Sequence, residues 1–160
     1  EAVDRGTADP DCRARLARLH AEDGDFAGAR EAWIGALRFA PRDPVYLNAL
    51  AIVTSKDESR LEEALGYARS AAPVAPERGE IAHTDAWLLY RAGKYEEASV
   101  QLARASALLE RVAEVQFHAG MALSKIGRAP EARVHLERAL LIDPKFDGAD
   151  AARAEIERLR

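Results

Sequence analysis

Small side chains recur along this chain at a period of about 34 residues, and that register constrains the fold more than any other feature. Ala29, Ala64, Ala98 and Ala132 are separated by 35, 34 and 34 residues, and Ala36, Ala71, Ala105 and Ala139 repeat those steps. Trp33, Ala68, Leu102 and Leu136 form a third column with the same intervals, Phe26, Leu61, Tyr95 and Ala129 a fourth, and Pro41, Pro76, Glu110 and Pro144 a fifth. An upstream column, Ala17, Ala51, Ala86 and Gly120, steps by 34, 35 and 34, so the extra residue lies between Ala51 and Leu61. Inserted inside a packed helix it would rotate every later side chain by about 100°. It therefore belongs in the polar turn 55–60, and the repeats run 10–43, 44–78, 79–112 and 113–146.

Within each repeat, small and apolar residues fall at spacings of three and four on both sides of a central break, the pattern of two helices. Gly24, Gly93 and Gly127 mark that break in three repeats, as residues that enter the left-handed conformation at a helix end without penalty. In the second repeat the stretch SKDESR takes the same place. Pro41, Pro76 and Pro144 close the second helices, because proline cannot donate the helical hydrogen bond. The alanine columns act as spacers: helices approach to about 8–10 Å only where the side chains at the crossing are small. After Pro144, Ala149, Ala152, Ile156 and Leu159 fall on one stripe, so 147–160 reads as a helix capping the end of the stack. Residues 1–9 lack the pattern and are expected to be a frayed leader or part of a preceding repeat.

The rest of the composition narrows function by exclusion. The chain has 160 residues, 48% hydrophobic and 31% charged, which suits one folded domain, 10–160, rather than a disordered segment. Its formal charge of -4 is spread with both signs interspersed, and no basic stripe points to nucleic acid. No apolar run approaches the roughly 18 residues that span a bilayer, so membrane insertion is not expected. Cys12 is the single cysteine, which rules out an internal disulfide and a thiolate metal cluster. His20, His83, His118 and His135 do not share the i, i+4 spacing of a helical metal site, and no nucleophile–base pair or phosphate loop stands out. The expectation is a non-enzyme with no cofactor, no metal and no catalytic residue.

The segments AWLLYRAGKYEEASVQLARA (86–105) and FHAGMALSKIGRAPEARVHLERALLIDP (117–144) resemble the tetratricopeptide-repeat family, and the likeness extends over about nine tenths of the chain. It implies an all-α, right-handed superhelical solenoid of four helix-turn-helix repeats plus the C-terminal capping helix. It also implies that the first helix of each repeat lines a concave groove for a protein or peptide segment. Carried over position by position, the groove takes Arg18 from repeat one, Asn48 and Ile52 from repeat two, His83, Trp87, Tyr90 and Arg91 from repeat three, and Phe117, Met121 and Lys125 from repeat four. Trp87, Tyr90, Phe117 and Met121 would make an apolar patch with a polar rim, although Trp87 and Phe117 could equally pack between neighbouring helices. The positions by which the chaperone cofactors of this family grip a terminal carboxylate hold Ala14, Arg18, Ala49, Glu80 and Thr84, which do not match that set. Asp85 replaces a usually apolar residue and stands either in the groove or facing solvent.

The function expected from this resemblance is a protein–protein interaction scaffold. Two alternatives stand beside it: a homo-oligomerising module that assembles through its ends, and the repeat portion of a larger enzyme or secretion component. The alanine- and arginine-rich wording is similar to bacterial members of the family. The compartment stays open, with the cytoplasm slightly favoured over the bacterial periplasm.

Overall fold

A computed structural model describes residues 9–160, and among them every regular element is helical. The first eight residues of the expected leader lie outside this range, and its last, Asp9, caps the first helix. The helices are α1 (Pro10–Glu22), α2 (Phe26–Leu37), α3 (Pro44–Thr54), α4 (Leu61–Ala71), α5 (Gly79–Arg91), α6 (Tyr95–Leu108), α7 (Ala113–Lys125), α8 (Ala129–Ile142) and α9 (Ala149–Arg158). They pair in sequence order, α1 with α2, α3 with α4, α5 with α6 and α7 with α8, and α9 packs on α8. This is an all-α helical-repeat fold. It divides after Pro76 into two compact units, one ending with α4 and the other running Glu77–Arg160.

Local chemistry sets the ends of these helices. Asp9 and Asp43 stand at the N-caps of α1 and α3, each followed by proline, and each accepts a backbone N–H of the first turn. Gly93 has φ +74°, and the amide of Lys94 reaches back to the Leu89 carbonyl at 2.9 Å while that of Gly93 reaches Tyr90 at 3.0 Å. Gly24 and Gly127 end their helices with the same pair of bonds. In the second repeat, where the turn glycine is absent, Asp57 caps a short 3₁₀ turn, Glu58–Arg60, and this longer turn takes up the inserted residue.

The periodic alanines lie at the helix crossings. Ala29, Ala64, Ala98 and Ala132 are fully buried, as are Ala36, Ala71, Ala105 and Ala139. Gly120 stands in the column otherwise held by alanine, and a Cβ there would come within 2.6 Å of Leu136 and 3.0 Å of the Ala132 carbonyl. In the first unit Trp33 joins α2 to α3 by packing 5.5 Å from Tyr46, whose hydroxyl donates to Asp11 at 2.7 Å. Arg30 ties α2 to α4 through Glu63 at 2.5 Å, and Tyr67 donates to the same carboxylate.

In the second unit α6 runs to Leu108 without the usual closing proline. Buried Gln116 of α7 stitches that end by donating to the Ser106 and Glu110 carbonyls at 3.4 Å, while its own oxygen meets His135 at 2.8 Å. Beyond α8, Ala152 and Ile156 of α9 close over Leu136. Gly148, at φ +112°, starts α9 where a Cβ would stand 3.0 Å from Phe146 and 3.1 Å from Phe117.

Candidate functional site

The first helices of the repeats carry the residues singled out from sequence, and within the second unit they fall into two sets. On α5, His83, Trp87 and Tyr90 are spaced i, i+4 and i+7, which places them on one helix face. On α7, Phe117, Met121 and Lys125 are spaced i, i+4 and i+8, with His118 turned toward α5. The rings form a continuous stack. Trp87 lies between Tyr90, 5.0 Å away and tilted by 9°, and His118, 3.7 Å away and tilted by 12°. His118 in turn stacks on His83 at 5.0 Å.

A hydrogen bond holds this stack together across the two helices. The Nε2 of His83 and the Nδ1 of His118 are 2.7 Å apart, so one neutral ring donates and the other accepts. Burial lowers His83 from 6.5 to about 4, and burial together with the His83 ring lowers His118 to about 3. Both imidazoles are therefore neutral near pH 7. Tyr90 meets the edge of Tyr95 at 5.2 Å, and the Lys125 ammonium lies 5.9 Å from the Tyr95 ring. Tyr90 is itself shifted upward, first by burial and then by Tyr95 and Glu155.

Phe117 and Met121 belong to the second set, because both pack against the cluster of Leu136, Ala152 and Ile156. Phe117 also meets Phe146 at 5.4 Å. The apolar patch anticipated from four residues is thus divided: Trp87 and Tyr90 stack with the histidines, whereas α9 and its preceding loop occupy Phe117 and Met121. The capping helix also brings Glu155 to Ser124, whose hydroxyl donates to the carboxylate and accepts from Arg158 at 2.7 Å. The Arg158 guanidinium, helped by Ser124 and Lys125, holds the Glu155 carboxyl at about 2. Asp85 is 6% exposed, so it does not face solvent.

In the first unit the predicted residues lie on α1 and α3. The exposed Arg18 places its guanidinium 5.8 Å from the Trp33 ring. Asn48 is half-buried, and its Oδ1 accepts no hydrogen bond. Ile52 is exposed. Among the described residues no group of three or more His, Cys, Asp or Glu is placed to hold a metal ion, and no helix is long and apolar enough to cross a membrane.

Sequence reasoning did not assign His118 or Tyr95 to the site. The available signal was His118 itself, which follows His83 by one repeat plus one position and so lands on the adjoining first helix.

Helix pairs of this length, three of the four joined by a glycine turn, and closed by an amphipathic helix define the tetratricopeptide-repeat fold. Solved structures of that class superpose along nearly the whole chain. The MamA protein matches with a TM-score of 0.81 at 19% identity, covering 96% of this chain and 81% of its own. YrrB, a TPR protein with an unusual peptide-binding site, gives 0.79 at 19% identity over 96% of this chain and 78% of its own. TTC0263, a thermophilic TPR protein of Thermus thermophilus, gives 0.73 at 21% identity over 99% and 84%. At such identities the likeness concerns the fold. By sequence, no protein-family model and no curated protein matches the chain.

Proposed function

We propose that this chain holds a protein or peptide segment rather than catalysing a reaction, and that on the second unit the segment lies along the face shared by α5 and α7. The observation that carries this reading is the stack of Tyr90, Trp87, His118 and His83, in which His83, Trp87 and Tyr90 remain partly open to solvent. Rings already fixed by their neighbours lose little freedom when a ligand covers them, so apolar contact converts into affinity with a small entropic cost. Arg91 and Lys125, at the C-terminal ends of α5 and α7, supply a polar rim, and Phe117 and Met121 support it from the side of the capping helix. On the first unit, Arg18, Asn48 and Ile52 form the corresponding surface, where the Asn48 carbonyl oxygen suits a backbone N–H of an extended segment. A peptide-binding site in YrrB gives the reading a precedent in this fold.

The test is affinity capture with the whole chain, followed by titration of the identified segment against wild type and Trp87→Ala. Loss of a half-buried indole contact worth roughly 1.5–3 kcal/mol weakens binding about ten-fold or more. An unchanged titration rejects the assignment.

A further inference from the structure

In the first unit the start of α2, the end of α3 and the lengthened turn that follows it border a cavity of about 350 Å³, the size of a small-molecule cleft. Phe26, Ala27 and Val53 give it an apolar side. Thr54, 1% exposed, and Arg30 also line it, and the Thr54 Oγ1 and the Arg30 Nε are both buried without a hydrogen-bond partner. A buried polar group left unpaired opposes folding, so two of them beside one cavity call for a reason.

The repeat itself does not require them. In the same register of the second unit Thr54 is replaced by Leu123 and Arg30 by Ser99. Leu123 is a buried core residue, and the Ser99 hydroxyl donates to the Glu96 carbonyl at 2.8 Å. The aromatic and lysine beside these positions are common to both units: Lys56 stands 5.7 Å from the Phe26 ring as Lys125 stands 5.9 Å from that of Tyr95. Only in the first unit does this junction hold unpaired polar groups.

Most of the charge around the cavity is already balanced. Arg30 gives its Nη2 to Glu63 at 2.5 Å, and Arg60 pairs with Asp57 and with Glu63, each at 3.2 Å. The second Asp57 oxygen accepts from the amide and the hydroxyl of Ser59. Two charges of the lining remain without an ion pair among the described residues: the Lys56 ammonium and the exposed Glu31 carboxylate. The cavity therefore combines an apolar side with three uncommitted donors, the Thr54 hydroxyl, the Arg30 Nε–H and Lys56, and has one uncommitted acceptor, Glu31.

From this arrangement we infer that the cavity binds a small monocarboxylic acid with an apolar body, its carboxylate answering these donors and its body lying against Phe26 and Val53. One negative charge is what the lining balances. A phosphate or a second carboxylate would bring further negative charge beside Glu31 and Asp57, which like-charge repulsion opposes.

The probes are 3-phenylpropionate, its neutral amide, and a tripeptide ending in a free phenylalanine carboxylate, each titrated into the whole chain by calorimetry, with circular dichroism confirming that every variant folds. The acid binds. The amide binds at least about ten-fold more weakly, because hydrogen bonds to a charged acceptor are the stronger ones, and the tripeptide binds no more tightly than the acid. Thr54→Val puts a methyl in place of the unpaired hydroxyl, so its thermal midpoint is equal to or above wild type while its affinity for the acid falls at least about ten-fold. Lys56→Gln, at an exposed position, weakens the acid to a similar extent.

No binding of the acid, equal binding of acid and amide, or binding unchanged in Thr54→Val or Lys56→Gln overturns the inference. A lowered midpoint in Thr54→Val assigns the hydroxyl to the fold and overturns it too. A tripeptide at least about ten-fold tighter than the acid gives the site to a chain end instead, and acid binding lost in Trp87→Ala gives it to the α5–α7 face; either result also overturns it.

Discussion

His83 and His118, on different first helices, meet through ring nitrogens 2.7 Å apart, and both rings are kept neutral by burial. The pair joins two repeats by a contact that needs at least one neutral imidazole to accept, because two protonated rings would have donors alone. It also fixes one face of Trp87, which lies flat on His118.

That arrangement sets the acid response of the second unit. The folded values, about 4 and about 3, lie below the ordinary 6.5, so the unfolded chain binds more protons throughout the interval between them. Stability therefore falls as pH drops from about 6.5 toward 4, by on the order of 1 kcal/mol per pH unit for each group while the gap persists. Urea unfolding midpoints at pH 7 and pH 5 measure the slope. In His118→Phe, which keeps a ring against Trp87 but removes one titrating group, the slope is shallower. An identical slope in that variant would show that the pair does not govern it.

Trp87 contributes to the fold as well as to the proposed contact surface. Stacked on Tyr90 and His118, it loses both partners in Trp87→Ala, at a cost of roughly 2 kcal/mol, while Trp87→Phe retains most of the stacking. Chemical denaturation monitored by circular dichroism compares the two variants. Equal destabilisation by both would show that the indole, not ring stacking, carries the contribution.

The helix pairing could be read from the sequence because its cause is local and recurrent. Ala29, Ala64, Ala98 and Ala132 recur wherever two helices must cross closely, and Gly24, Gly93 and Gly127 recur wherever a turn needs a left-handed residue. The site was only partly visible, since its arrangement depends on contacts that no period encodes. Phe117 and Met121 have the spacing of groove residues, yet Ala152 and Ile156 from beyond the last repeat pack against both, and Phe146 at its end meets Phe117. His118 sits one position from the family's groove register and becomes part of the stack because Trp87 has a flat face to offer it. Asp85 carries a charge that sequence alone leaves between groove and solvent, and its burial follows from its place on the inward face of α5.

Gly120 and Gly66 make a controlled comparison of what a single methyl does. At Gly120 the added carbon would collide with the Leu136 side chain and the Ala132 backbone, so Gly120→Ala separates α7 from α8 and costs about 1–3 kcal/mol. Gly66 lies on the exposed surface of α4 with nothing within 4 Å of the new atom, so Gly66→Ala stabilises by about 0.5–1 kcal/mol through helix propensity. Thermal unfolding of the two variants should move in opposite directions. A Gly120→Ala midpoint at or above wild type would mean that the helices relax apart without penalty.

Glu155 adds a second acid transition, below the one set by the histidines. Its carboxyl is lowered from 4.5 to about 2, mainly by Arg158, with Ser124 and Lys125 contributing. A depressed carboxyl contributes stability that is present above about 4.5 and is lost as pH falls toward 2. Because the Arg158 side chain is 61% exposed, solvent screens the pair, and Glu155→Gln costs no more than about 1 kcal/mol at pH 7. At pH 2.5 the unfolded carboxyl is almost fully protonated while roughly a quarter of the folded one is, so most of the charge contribution is gone and the gap between the two proteins narrows. Unfolding midpoints for wild type and Glu155→Gln at these two pH values measure that narrowing. A gap of the same size at both would assign the effect of Glu155 to its packing against α7 rather than to its charge, and the link between α9 and Ser124 would then be steric.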